Sequence, residues 1–341
     1  MHIALDVMGS DRGAEELVSG ALQAVHESSI KITLVGDGEA ISSALAGRQP
    51  NAALSIFPTT QVVDMGDSPI DAIRKKKDSS MVRAFELLKD HKVDAVVSAG
   101  NSGAVMASAI KFLGRLQHIS RPAIASVFPT LKGPVVMADV GANVDCRPGH
   151  LYQFGVMASA FAKIMFGISA PRVGLLSIGE EGGKGNALIK KTHELLSASN
   201  LNYIGNVEGG DIFHGDVDVI VCDGFVGNVC LKLSEGLSEA VLTMLRDEIS
   251  KTFKAKMGYL LAKDAFGAFR KRVDYAEYGG APLLGLNGAA IICHGRSSAK
   301  AIKNALLVAD ELTANRVNDH ILAALALDEA GLDSLDGEEG S

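Results

Sequence analysis

Six short polar turns in this sequence carry glycine: Met8–Gly13, Ser98–Gly103, Asp139–Asp145, Gly179–Asn186, Asp223–Asn228 and His294–Ser298. Five of the six add a strong hydrogen-bond donor: Asn101, Asn143, Lys184 with Asn186, Asn228, and His294. Amides, an ammonium and an imidazole set around glycine-bearing backbone can hold an anion or stabilise a developing oxyanion. Ser98–Gly103 shows the logic best. A turn that leaves a strand and opens a helix aims several N–H groups at one spot, where the helix dipole adds roughly half a positive charge. Asn101 and Ser102 bring side-chain donors there, and Gly100 and Gly103 let a ligand approach the backbone.

Other chemistries fit less well. Gly179–Asn186 has the look of a nucleotide-phosphate loop, but one residue too few separates Gly179 from Gly183, and Gly185 replaces the hydroxyl residue that would hold magnesium. Gly36-Asp37-Gly38 fails as a dinucleotide fingerprint because its third glycine position is Ile41. No G-x-S-x-G elbow occurs, so covalent serine catalysis lacks support. The acids Asp6, Asp139, Asp145 and Asp223 are scattered and H-x-x-x-H is absent, so no metal site is expected. A plainer role for those acids is to accept N–H groups of their own turns. Lys184 and His294 have plain readings too, as a solvated loop lysine and a strand-end histidine.

The elements that position these turns are short apolar runs alternating with helical patterns. Strands are expected over His2–Val7, Ile30–Val35, Ala95–Val97, Ala123–Phe128, Pro134–Val140, Arg172–Ile178, Val217–Cys222 and Ala289–Cys293. Helices are expected over Glu15–His26, from Pro69 behind an N-cap Ser68, through Lys89 behind Asp78 or Ser79, and from Ala187. This alternation predicts an α/β fold, doubly wound, with a mostly parallel sheet and a cleft at the strand carboxyl ends. All six turns fall at that edge, so the donors, Gly9 and the acids Asp6, Asp139 and Asp223 are expected in one cleft. Residues 1–327 read as a single two-lobed catalytic domain, and 328–341, with six acids and no base, as a frayed tail.

The net charge of −7 argues against nucleic-acid binding. Four cysteines without C-x-x-C pairing read as reduced thiols of a cytoplasmic protein, with no leader before the first strand. The exception to the acidic balance is Lys251–Arg272, which is +6. It belongs to an amphipathic helical protrusion over 237–272 that Gly258 and Gly267 are expected to break into pieces, with Leu260 and Leu261 at an apolar tip among Lys254, Lys256 and Lys263. Its half nearest Leu237 reads as a packing or dimerisation helix, its tip as a peripheral anchor on an anionic membrane. Arg74-Lys75-Lys76-Lys77 reads either as a solvated helix face or as a contact for an acidic partner or a phosphate.

The turns together resemble the bacterial phosphate acyltransferase family, the transacylases that move an acyl group from acyl carrier protein to phosphate in phospholipid synthesis. The matching stretches include LDVMGSD from Leu5, DAIRKKKDSS from Asp71, SAGNSG from Ser98, DVGANVDC from Asp139, IGEEGGKGN from Ile178, CDGFVGN from Cys222 and YGGAPLLG from Tyr278. Ser10 departs from an expected glycine, and Ser102 stands where threonine is common. The resemblance implies a fold similar to phosphotransacetylases and the isocitrate/isopropylmalate dehydrogenases, a homodimer, and no cofactor or metal. It implies direct attack of inorganic phosphate on a long-chain thioester, with the next acyltransferase consuming the product. On that basis phosphate is expected on Asn101, Ser102, Gly103 and Asn143. Lys184, Asn228 and His294 are expected to serve the oxyanion or leaving group. A phosphotransacetylase using short-chain acyl-CoA is the alternative.

Overall fold

The computed structural model describes residues 1–47, 53–273 and 275–327; the acidic tail lies outside them. In chain order its elements are β1 (His2–Asp6), α1 (Gly13–Glu27), β2 (Lys31–Gly36), α2 (Gly38–Ala44), β3 (Leu54–Pro58), α3 (Pro69–Lys75), α4 (Ser80–Lys89), β4 (Ala95–Ser98), α5 (Ser102–Leu113), β5 (Ala123–Pro129) and β6 (Pro134–Ala138). There follow α6 (Pro148–Phe166), β7 (Val173–Leu176), α7 (Ala187–Ala198), β8 (Tyr203–Val207), β9 (Val219–Val221), α8 (Gly224–Lys251), α9 (Phe253–Leu261), α10 (Lys263–Val273), β10 (Ala281–Leu284), β11 (Ala289–Ile292), α11 (Ala299–Ala314) and α12 (Val317–Ala326).

The strands form one sheet in the order β3-β2-β1-β4-β11-β10-β5-β6-β9-β7-β8. Helices cover both faces, so β1, β2, β4 and β9 are apolar and buried nearly throughout. Seven of the ten pairings are parallel; the antiparallel three, β11–β10, β10–β5 and β5–β6, sit together at the centre. Following those reversals, β5 runs with β1–β4 and β11, whereas β6–β9 run against it. The six turns therefore do not share the single carboxyl edge expected from the alternation of strands and helices. The turn after β6 instead folds back on β5: Val140 N–H donates to Ile124 C=O at 2.9 Å, and Ile124 N–H to Asp139 Oδ1 at 2.9 Å.

The protrusion also differs from expectation. Its breaks fall at Thr252 and Ala262, while Gly258 and Gly267 lie inside α9 and α10. Thr252 turns extended and its Oγ1 caps Ala255 N–H, which starts a new helix more effectively than an interior glycine stops one. Beyond its first turns α8 is solvent-facing, with Leu233, Leu237, Val241 and Met244 all exposed. Among the described residues no helix is long and apolar enough to cross a membrane.

Candidate active site

Five of the six turns meet at one cavity of about 460 Å³. Asp11 reaches it from the turn after β1, Gly100 and Ser102 from that after β4, Val140 and Gly141 from that after β6, Asn228 from α8, and His294 from the turn after β11. The sixth turn, with Lys184 and Asn186, is outside the lining. Lys184 is exposed, and Asn186 caps α7 by accepting Ile189 N–H at 3.0 Å.

Several residues expected to bind ligand instead build the walls. Asn101 Oδ1 caps α5 by accepting Ala104 N–H, and its Nδ2 donates to the carbonyls of Asp64, Met65 and Asp67. That amide is fully engaged. Its capping leaves the N–H groups of Ser102 and Gly103 free of described partners at the mouth of the helix. Gly103 itself packs close on Pro69. Lys76 reinforces the same loop through Asp64 at 2.8 Å and Asp67 at 2.5 Å, and Lys75 pairs with Asp71. Of the basic run Arg74–Lys77, Arg74 and Lys77 remain exposed without described ion pairs.

Asn143 is buried, donating to Pro122 C=O at 2.8 Å and to Asp139 Oδ2 at 2.9 Å. Asp139 also accepts the N–H groups of Ile124, Ala142 and Asn143, while burial pushes its pKa up. Asp6 is likewise buried and shifted up, holding Met8 N–H and Ser98 Oγ. Asp223 caps α8 through Val226 N–H. Gly9 sits at φ +77°, the left-handed region, where any side chain would press on Val63 C=O. The Ser10 hydroxyl donates to Gly295 C=O at 2.9 Å, tying the first turn to the last.

Two glycines seat α8 over the cavity. Gly224 N–H donates to Asn143 C=O at 2.7 Å, and a Cβ on Gly227 would stand 1.9 Å from Asp139 C=O. Only bare backbone lets the helix settle this deep. Asn228, Leu231, Lys232, Glu235 and Ser238 then face the cavity at helical spacing. Lys232 and Glu235 do not stand out in the sequence, where the amphipathic pattern of α8 becomes plain only from Leu237 onward. Their spacing from Asn228 was the available signal. Lys232 Nζ pairs with Glu235 at 2.9 Å.

His294 Nδ1 accepts Arg296 N–H at 3.1 Å, so the neutral ring carries its proton on Nε2. Partial burial, then Lys232, hold its pKa below the ordinary 6.5. Cys293 also lines the cavity, but burial pushes its thiol up to about 12, which leaves no thiolate for nucleophilic attack. The constellation offers an ammonium, a carboxamide, an imidazole N–H and free helix N–H groups beside an apolar wall. That equipment suits charge stabilisation more than acid–base chemistry.

The family model described as "Fatty acid synthesis protein" matches residues 1–320. A phosphate acyltransferase of Syntrophotalea carbinolica is 54% identical over 327 residues, covering 96% of this chain and 94% of the relative. This chain belongs to the phosphate acyltransferase family. A second phosphate acyltransferase, from Geotalea daltonii, is 52% identical over 95% of this chain and 94% of its own. Such identity over nearly full length makes the chain an enzyme of that type. Among solved structures, a Streptococcus pyogenes phosphotransacetylase superposes with TM-score 0.61 at 18% identity over 94% of both chains. A branched-chain phosphotransacylase from Enterococcus faecalis superposes with TM-score 0.55 at 13% identity over 92% of this chain and 99% of that one. These two likenesses concern the fold, and agree with the phosphotransacetylase-like architecture expected from the sequence.

Proposed function

We propose that this phosphate acyltransferase takes a long acyl group from the thioester of acyl carrier protein and places it on inorganic phosphate for phospholipid synthesis. The observation that carries the reading is the cavity, where anion-holding donors share one space with an apolar wall. Hydrogen phosphate sits at the N–H groups of Ser102 and Gly103 with the Ser102 hydroxyl, and Lys232 supplies counter-charge. One phosphate oxygen attacks the thioester carbonyl carbon. Asn228 donates to the carbonyl oxygen as it gains negative charge. The carbon–sulfur bond then breaks, and the phosphate proton passes to the departing thiolate, giving acyl phosphate and free carrier thiol. Inorganic phosphate is already substantially dianionic near neutrality, so a strong base is not essential. Neutral His294 contributes a hydrogen bond from Nε2. Lys184 and Asn186, outside the lining, are assigned no contact with the reacting atoms.

The acidic carrier docks on Arg74 and Lys77 or on the basic segment of α9–α10. The exposed stripe Leu233–Met244 of α8 pairs with a second copy of the chain, and a monomeric mass at every concentration would exclude this. The tip at Leu260 and Leu261, 62% and 87% exposed among Lys254, Lys256 and Lys263, rests on the inner face of the membrane. There the next acyltransferase takes the labile product.

The deciding assay supplies phosphate with palmitoyl carrier protein or with acetyl-CoA and measures acyl phosphate. Turnover of the carrier substrate with little from acetyl-CoA is expected. The reverse preference would replace the reading with a short-chain phosphotransacetylase.

A further inference from the structure

The apolar side of the cavity has no part in the chemistry described above. Ile124, Ser126 and Phe128, alternate residues of β5, line it together with Val127 and Pro129 at the end of the strand. Phe213 meets Phe128 edge-to-face with ring centroids 6.5 Å apart. Leu231 of α8 adds a further apolar surface. This wall is displaced from the polar groups. The register sets His294, just past Ile292, level with Phe128 but two strand spacings, about 10 Å, to the side across β10. Asn228 packs on Gly141, whose neighbour Val140 is bonded to Ile124; the polar end of α8 therefore meets β5 at its start and Phe128 lies about 13 Å further along.

We propose that the acyl chain of the donor runs along β5 beneath α8, from a carbonyl at Asn228 and Lys232 to a methyl end at the Phe128–Phe213 pair, and that Ser126 and Phe213 set the chain length accepted. This rests on the reading that the enzyme transfers long acyl groups. A pantetheine arm would bring amides that Ile124, Phe128, Phe213 and Leu231 cannot satisfy, whereas methylenes lose nothing there. Ser126 is the small residue midway along the wall, partly buried, with no side-chain hydrogen bond among the described residues. Its size keeps the path open. Phe128 is core at 3% exposure, whereas Phe213 is 39% exposed on a short turn, Asp211–Phe213, that can yield without disturbing the sheet.

The test measures kcat/KM for acyl phosphate formation from carrier protein loaded with butyryl, octanoyl, palmitoyl and stearoyl groups. Ser126→Leu is expected to lower the palmitoyl-to-octanoyl ratio by about tenfold or more, since methylene-scale changes in apolar pockets discriminate by about 10–200-fold. Phe213→Ala is expected to move the ratio toward stearoyl. A uniform change across all chain lengths in both variants would overturn the placement. If Ser126→Leu does not fold, Phe213→Ala decides alone, because its side chain lies at the rim. Failure of the wild-type enzyme to use any carrier donor would instead overturn the functional reading on which the placement rests, a result distinct from an unaltered length profile.

Discussion

Replacing Gly227 by alanine tests how α8 is seated. The added Cβ would lie 1.9 Å from Asp139 C=O, and carbon–oxygen contacts begin near 3.3 Å, so about 1.4 Å of movement is required. The opposing atom is backbone, fixed by a carboxylate that holds three N–H groups, so it cannot swing aside. Overpacking of this kind costs about 1–3 kcal/mol, and a displacement near 1 Å at a catalytic wall can cost about 10²-fold in rate. Gly227→Ala should therefore lower the melting temperature by several degrees and cut turnover about a hundredfold. Gly236→Ala is the matched control in the same helix. Its Cβ would meet nothing within 4 Å, and removing an interior helical glycine gains about 0.5–1 kcal/mol. If the packing argument holds, calorimetry moves the two melting temperatures in opposite directions and only Gly227→Ala loses turnover. Equal melting temperatures and equal rates would refute it.

Lys232→Met should reduce turnover by about 10²–10³ while costing only about 0–1 kcal/mol of stability, because Lys232 of its ion pair with Glu235 is half in solvent; Lys184→Ala should lose far less, and the opposite ranking would give the counter-charge to Lys184 in place of Lys232. His294, with a pKa held below 6.5, should stay neutral through neutral pH, so activity falls on its account only as the pH drops below that value. Since protonation is disfavoured in the folded state, the same titration removes stability as pH falls; His294→Gln should erase that acid limb in a pH–rate profile, and an unchanged limb would clear His294. Leu260→Glu with Leu261→Glu should abolish flotation with anionic liposomes but spare turnover of soluble carrier substrate; unchanged flotation would exclude the tip as the anchor.

The sequence disclosed much of this architecture because its strands are buried on both faces and read as plain apolar runs. β3, β8 and β10 escaped notice for physical reasons. Pro58 closes β3, Gly205 and Pro282 interrupt β8 and β10, and β3 and β8 are partly exposed edge strands. The donors at the turns were visible, but their targets were not. Asn101 and Asn143 look identical to Asn228 in a sequence, and only their neighbours show that two brace loops while the third faces the cavity. Lys232 stayed hidden because the sequence does not show that Gly224 and Gly227 bring the start of α8 down onto Asp139.

The sheet order carries a consequence for how the molecule assembles. The hairpin β10–β11 comes last of the described strands, yet it fills the gap between β4 and β5. Until Ala281–Ile292 leave the ribosome, the earlier strands can form two half-sheets that each present an unpaired inner edge, the arrangement most open to intermolecular pairing. A chain stopped before Ala281 would hold most of the groups assigned to catalysis and still lack the strand that brings them within reach of one another. Completion of the cavity thus waits on the synthesis of β10 and β11.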